Sequence, residues 1–120
     1  MKRIVLLESN GALSSHFKVE FSKIGAYEVV EVPSDGLSVC QYLQSHSVDI
    51  LLISFFYKID AKTNKLQLAK HVYQSHPNIR IIQYHPLYSW DINRLFVWDI
   101  SAYFDTDELN FSTLGVALFR

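Results

Sequence analysis

The run Val48-Asp49-Ile50-Leu51-Leu52-Ile53-Ser54 constrains this chain more than any other stretch. Branched apolar residues at that density read as a strand buried on both faces, and such strands belong to parallel sheets covered by helices. The run stops at one small polar side chain, Ser54. In open parallel sheets, ligands and chemistry gather at the C-terminal ends of the central strands. The residue at that end therefore bears directly on function. Here it is a neutral hydroxyl, and the bulky Phe55-Phe56-Tyr57 follows at once.

The rest of the chain alternates around that strand. Residues 3–7 form a short apolar strand. Residues 12–24 place Leu13, Phe17, Phe21 and Ile24 at helical spacing, and Gly25 ends that helix. Residues 27–32 make a second strand. Pro33-Ser34-Asp35-Gly36 is a turn and a helix start, and Leu37, Cys40, Tyr42 and Leu43 follow at helical spacing. Residues 64–75 gather Leu66, Leu68, Ala69, Val72 and Tyr73 on one side of a third helix, which His76-Pro77-Asn78 breaks. Residues 79–84 are a fourth strand, ended by His85-Pro86. Residues 89–98 are expected as a fourth helix with Ser89 as its N-cap, residues 100–104 as a fifth strand, and residues 109–119 as a fifth helix. Five strands alternating with five helices predict an α/β fold, a doubly wound five-stranded parallel sheet with helices on both faces. Residues 1–120 form one domain without repeats or linkers. The chain stops at Phe119-Arg120, at or inside that last helix, which suggests a domain cut from a longer chain, with a stand-alone domain as the alternative.

Composition narrows the function classes. Eleven Lys and Arg against twelve Asp and Glu leave no basic face of the kind a free-standing nucleic-acid binder shows. A hydrophobic share of 49% supplies a core without disulfides or metal. The single Cys40 allows no internal disulfide and fits a reducing cytoplasm. It falls in the apolar pattern of its helix, so it reads as core and not as a nucleophile. No apolar run approaches the ~20 residues of a membrane span, and the apolar run behind Met1-Lys2-Arg3 has no signal-peptide cleavage site. Four glycines, Gly11, Gly25, Gly36 and Gly115, cannot write a P-loop or a dinucleotide fingerprint. His16, His46, His71 and His76 lack paired metal-ligand spacing. No metal and no cofactor is expected. Asp49 lies at the opposite end of the sheet from Ser54, and Asp60 and Asp105 read as solvated loop carboxylates.

The order of elements, with Arg3-Ile4-Val5-Leu6-Leu7-Glu8-Ser9-Asn10 as opening strand and turn, resembles the receiver domain of bacterial two-component response regulators, a flavodoxin-like fold. Further support comes from Val48 to Ser54 as central strand, Lys65-Leu66-Gln67-Leu68-Ala69 opening the third helix, Pro77-Asn78-Ile79-Arg80-Ile81-Ile82 at the fourth strand, and Asp99-Ile100-Ser101-Ala102-Tyr103-Phe104 at the fifth. The resemblance covers essentially the whole chain. It implies a phospho-accepting aspartate at the position of Ser54, two acidic Mg²⁺ ligands at Glu8 and Ser9, a Ser or Thr at His85 and a Lys at Thr106. Only Glu8 keeps the charge type. Mg²⁺ wants oxygen ligands, usually including carboxylates, and a serine hydroxyl is a weak nucleophile without a base to activate it. His85 is the candidate base. The bland alternative has Ser54 filling the space of the lost aspartate and His85 bonding to a nearby loop.

The last third of the chain crowds Tyr84, Tyr88, Trp90, Phe96, Trp98 and Tyr103 into twenty residues. On a helix, Trp90, Arg94 and Trp98 share one stripe. The stripe reads equally as a protein interface or as packing over the fifth strand. In receivers the face of the fourth helix, fifth strand and fifth helix is the usual dimer or partner surface, and Tyr103 matches the switch aromatic. The resemblance thus implies a degenerate receiver, a phosphorylation-independent protein-interaction module of a cytoplasmic response regulator in signal transduction or transcription regulation. It would be no enzyme, with a homodimer or protein partner on that face and DNA contact left to a C-terminal output domain. The alternatives are an active receiver with a substitute acceptor, Ser54 or Asp60, and a small-ligand binder using the same end of the sheet.

Overall fold

The computed structural model describes residues 1–32, 35–57, 64–85, 91, 94–106, 110–114 and 118. At its centre lies β3 (Ile50–Ser54), buried at all five positions. It sits between β1 (Lys2–Leu7) and β4 (Arg80–Tyr84), and β2 (Tyr27–Glu31) flanks β1 on the outside. These four strands are parallel. The register pairs Leu7 with Ile53 and Ser54 with Tyr84, so their C-terminal ends share one edge of the sheet.

Strand side chains alternate between faces, and the core divides accordingly. Ile4, Leu6, Leu52, Ile82 and Tyr84 meet Leu13, Phe17 and Phe21 of α1 (Gly11–Ile24). On the other face, Val5, Leu7, Leu51, Ile53 and Ile81 meet α2 (Gly36–Ser45) and α3 (Lys65–Ser75), through Val39, Leu43, Leu68, Ala69 and Val72. The doubly wound, flavodoxin-like α/β architecture follows from this alternation. Each of these helices starts on a side chain that accepts from a backbone amide of the first turn: Asn10 from Leu13, Asp35 from Ser38, Asn64 from Gln67. Gly25 ends α1 at φ 78°, a left-handed conformation that favours glycine.

Three residues expected in the core, Ile24, Leu37 and Leu66, are outside it. Leu37 and Leu66 are 68% and 56% exposed, and Val39 takes the inward position on α2. Cys40 is half-buried against the second core cluster, and burial raises its thiol pKa.

Beyond Tyr84 the order of elements departs from expectation. Residues 96–98, expected to end a helix, belong to β5 (Phe96–Asp99), which pairs antiparallel with β4. The expected fifth strand is instead α4 (Ile100–Thr106). Asp99 explains the reversal: its Oδ1 accepts from the Ala102 amide at 3.1 Å, an N-cap contact that starts a helix. Within the expected last helix, β6 (Asn110–Thr113) pairs antiparallel with β5. The sheet therefore has six strands, in the order β2-β1-β3-β4-β5-β6, with the last two antiparallel, where five parallel strands were expected. Ser89, the expected N-cap, lies outside the described residues.

Candidate functional site

The C-terminal ends of β1, β3 and β4 bring three side chains together. Glu8 follows β1, Ser54 ends β3, and Tyr84 ends β4 beside Ser54. Tyr84 shares the face of Ile82, so its ring points toward α1, where it meets Phe17 edge-on at 5.2 Å. It is completely buried. Its hydroxyl donates to Glu8 Oε1 at 2.6 Å, and the Asn10 amide donates to Glu8 Oε2 at 3.0 Å. Ser54, also fully buried, accepts from the Phe56 amide at 3.3 Å and hydrogen-bonds the Tyr84 phenol. Burial pushes the Tyr84 pKa far above its ordinary value. The Glu8 carboxylate adds to that rise and Ser54 opposes it. The corner is thus a closed chain of neutral hydroxyls ending on one carboxylate.

A second group of side chains lies alongside. The His85 ring stacks on Phe55 at 5.2 Å, meets Phe56 edge-on at 5.1 Å, and lies 6.4 Å from Trp98. Phe55 in turn stacks on Trp98 at 5.9 Å. The Lys65 ammonium sits 5.1 Å from the Phe55 ring centre and donates to the Phe55 carbonyl.

No protein-family model matches the chain, and no curated protein matches it. Solved structures do. One is the complex of the two-component response regulator RcsB with DNA, at TM-score 0.62 and 16% identity over 88% of this chain and 49% of that one. The isolated receiver domain of RcsB from Salmonella enterica serovar Typhimurium, in the presence of phosphomimetic BeF3-, matches at TM-score 0.61 and 14% identity over 73% of this chain and 64% of that one. The non-phosphorylated receiver domain of RcsB from Escherichia coli matches at TM-score 0.58 and 14% identity, over 67% and 61% respectively. This chain has the receiver fold. It spans under half the length of the longer RcsB structures, 42% in one from Salmonella typhimurium.

Of the expected pocket residues, Glu8 and Ser54 come together, both bonded to the Tyr84 phenol. Ser9 is exposed. Thr106 closes α4, and its side chain lies outside the described residues. The hydrogen-bond partners of Ser54 are Phe56 and Tyr84, and His85 faces the aromatic group. The described residues do not fit Mg²⁺. Among them the corner offers one carboxylate, Glu8, and both its oxygens already accept hydrogen bonds. Among the described residues, no group of three or more His, Cys, Asp or Glu gathers anywhere.

Of the expected interface residues, Trp98 lies on β5 among the aromatics and Tyr103 lies half-buried on α4. Arg94 is exposed and pairs with Asp91 at 3.6 Å. Tyr88 and Trp90 fall outside the described residues, as does Asp60. Asp105, expected in a loop, belongs to α4 and accepts from the Tyr73 hydroxyl. Asp49 holds the far end of the sheet, accepting from the Arg3 amide at 2.8 Å. Sequence reasoning missed the roles of Tyr84 and Lys65. The alternation of Ile82, Gln83 and Tyr84 shows that Tyr84 faces inward; its contact with Glu8 spans 76 residues and leaves no local signal. Among the described residues no helix is long and apolar enough to cross a membrane.

Proposed function

We propose that this chain is a degenerate receiver: a non-enzymatic regulatory module that works through protein contacts and accepts no phosphoryl group. The observation that carries this reading is the Tyr84–Glu8 hydrogen bond. A buried phenol occupies the corner where a receiver needs room for a cation and a phosphoryl group. Among the described residues Ser54 bonds the Phe56 amide and the Tyr84 phenol, neither of them a base that could activate it, and burial keeps that phenol protonated.

The RcsB structures include complexes with DNA and a pair of dimers bound to two parallel DNAs. By analogy, this module acts in a cytoplasmic response regulator, with DNA contact left to a separate output domain. A homodimer or protein partner would engage the region of the chain that includes Tyr88, Trp90, Arg94, Trp98 and Tyr103. Near-neutral charge supports that division of labour.

The test is incubation with acetyl phosphate and Mg²⁺ followed by intact-mass measurement. The expected spectrum shows the unmodified mass. An adduct of one phosphoryl group, on Ser54, Asp60 or any other residue, would overturn the reading. Light-scattering mass of the wild type and Trp90→Ala tests the face: a lower mass, or loss of partner binding, in the variant supports it.

A further inference from the structure

A cavity of about 590 Å³ opens on the face of the sheet opposite the Tyr84 ring. That volume falls within the ~300–1,000 Å³ typical of small-molecule sites. Its walls include the apolar side chains of Ile53, Ala69 and Ile100, and its rim includes Phe55, Lys65 and Tyr103. Phe55 is 43% exposed, and its ring also meets His85, Trp98 and the Lys65 ammonium.

Lys65 gives the cavity its chemistry. Its contacts are the carbonyl and ring of Phe55, and no carboxylate among the described residues pairs with it. The first turn of α3 carries no acidic residue. Partial burial lowers its pKa, as for a cation held against apolar surface. A cation in that position gains from an anion arriving with an apolar body, because both partners leave water together and their hydrogen bond is charge-assisted.

We propose that this cavity binds a small aromatic carboxylic acid, with its ring against Phe55 and the apolar walls and its carboxylate on Lys65. The site is distinct from the Ser54 corner, and the proposal stands whether or not that corner accepts phosphate.

The test uses 1-naphthylacetate and its neutral isostere 1-naphthylacetamide, titrated by calorimetry and by amide chemical shifts. The acid is expected to bind saturably, with the largest shifts at Ile53, Ala69 and Ile100. The amide should bind roughly tenfold more weakly, the worth of one hydrogen bond to a charged group. Lys65→Gln should cost the acid that same factor and leave the amide unchanged, while Lys65→Arg should retain most of the acid's affinity. Absence of saturable binding by the acid, equal affinity for acid and amide, or shifts centred elsewhere would each overturn the proposal. The acid–amide comparison on the wild-type chain needs no variant, so it decides the matter even if Lys65→Gln fails to fold.

Discussion

Tyr84 shows how one buried hydroxyl can tie two strand ends together and stabilise the fold. Its phenol donates to a carboxylate, and such bonds contribute more than neutral ones. Tyr84→Phe should therefore destabilise the protein by about 1.5–3 kcal/mol in urea unfolding, and a change below a few tenths would refute the assigned bond. The pH dependence has a definite sign. The folded-state pKa of Tyr84 is raised above its unfolded value near 10. Its contribution is complete below that value and is lost as pH rises, because the unfolded chain releases a proton that the folded chain keeps. Tyr27, also raised chiefly by burial, adds to the same alkaline loss. Unfolding measured from about pH 9 to about pH 11 should show Tyr84→Phe losing less stability than the wild type, by up to about 1.4 kcal/mol per pH unit. Sequence alone placed Ser54 at the business end of the sheet, and the structure confirms its position. The partner of Ser54 was not legible, because strand register rather than spacing brings Tyr84 beside it.

Elements were legible as long as one periodicity dominated. From β1 to β4 the branched runs, the caps and Gly25 all agree, and the observed boundaries lie within two residues of those expected. After Tyr84 two periods compete. Trp90, Arg94 and Trp98 recur every four residues, as on a helix, but Leu95 and Val97 are buried while Phe96 is 58% exposed, as on a strand. Bulky and aromatic residues favour the strand. In the next element the apolar stretch after Asp99 suggested a strand, and the capping aspartate decided for a helix. Asp99 also pairs with Arg80 at 3.2 Å, with both side chains largely buried. Asp99→Ala should cost about 1–3 kcal/mol, combining a lost cap with a lost ion pair. Asp99→Asn keeps the capping oxygen and should cost less. Equal losses in thermal or urea unfolding would show that capping does not hold α4.

At the scale of the molecule the sheet has two unlike halves. β1 and β3 lie between parallel neighbours and bury nearly every side chain. The outer strand β2 is guarded by charge: Glu28 pairs with Arg3 and Glu31 with Lys18, which discourages edge-to-edge association. β5 and β6 are four-residue strands; in the sheet β5 pairs antiparallel with β4, and β6 with β5. Fewer ladder bonds and a more exposed β5 make this the part expected to open first, since local stability follows buried contact and protected hydrogen bonding. Trp98 and Tyr103 ride on this half, so the proposed contact residues lie where rearrangement is expected to cost least. Native-state hydrogen exchange should find the amides of Val5, Leu51 and Ile81 opening only with global unfolding. Amides of β5 and β6 should exchange at a lower free energy, with weaker denaturant dependence. Uniform protection across all six strands would mean that the sheet unfolds as one unit and that its antiparallel edge holds no separate freedom.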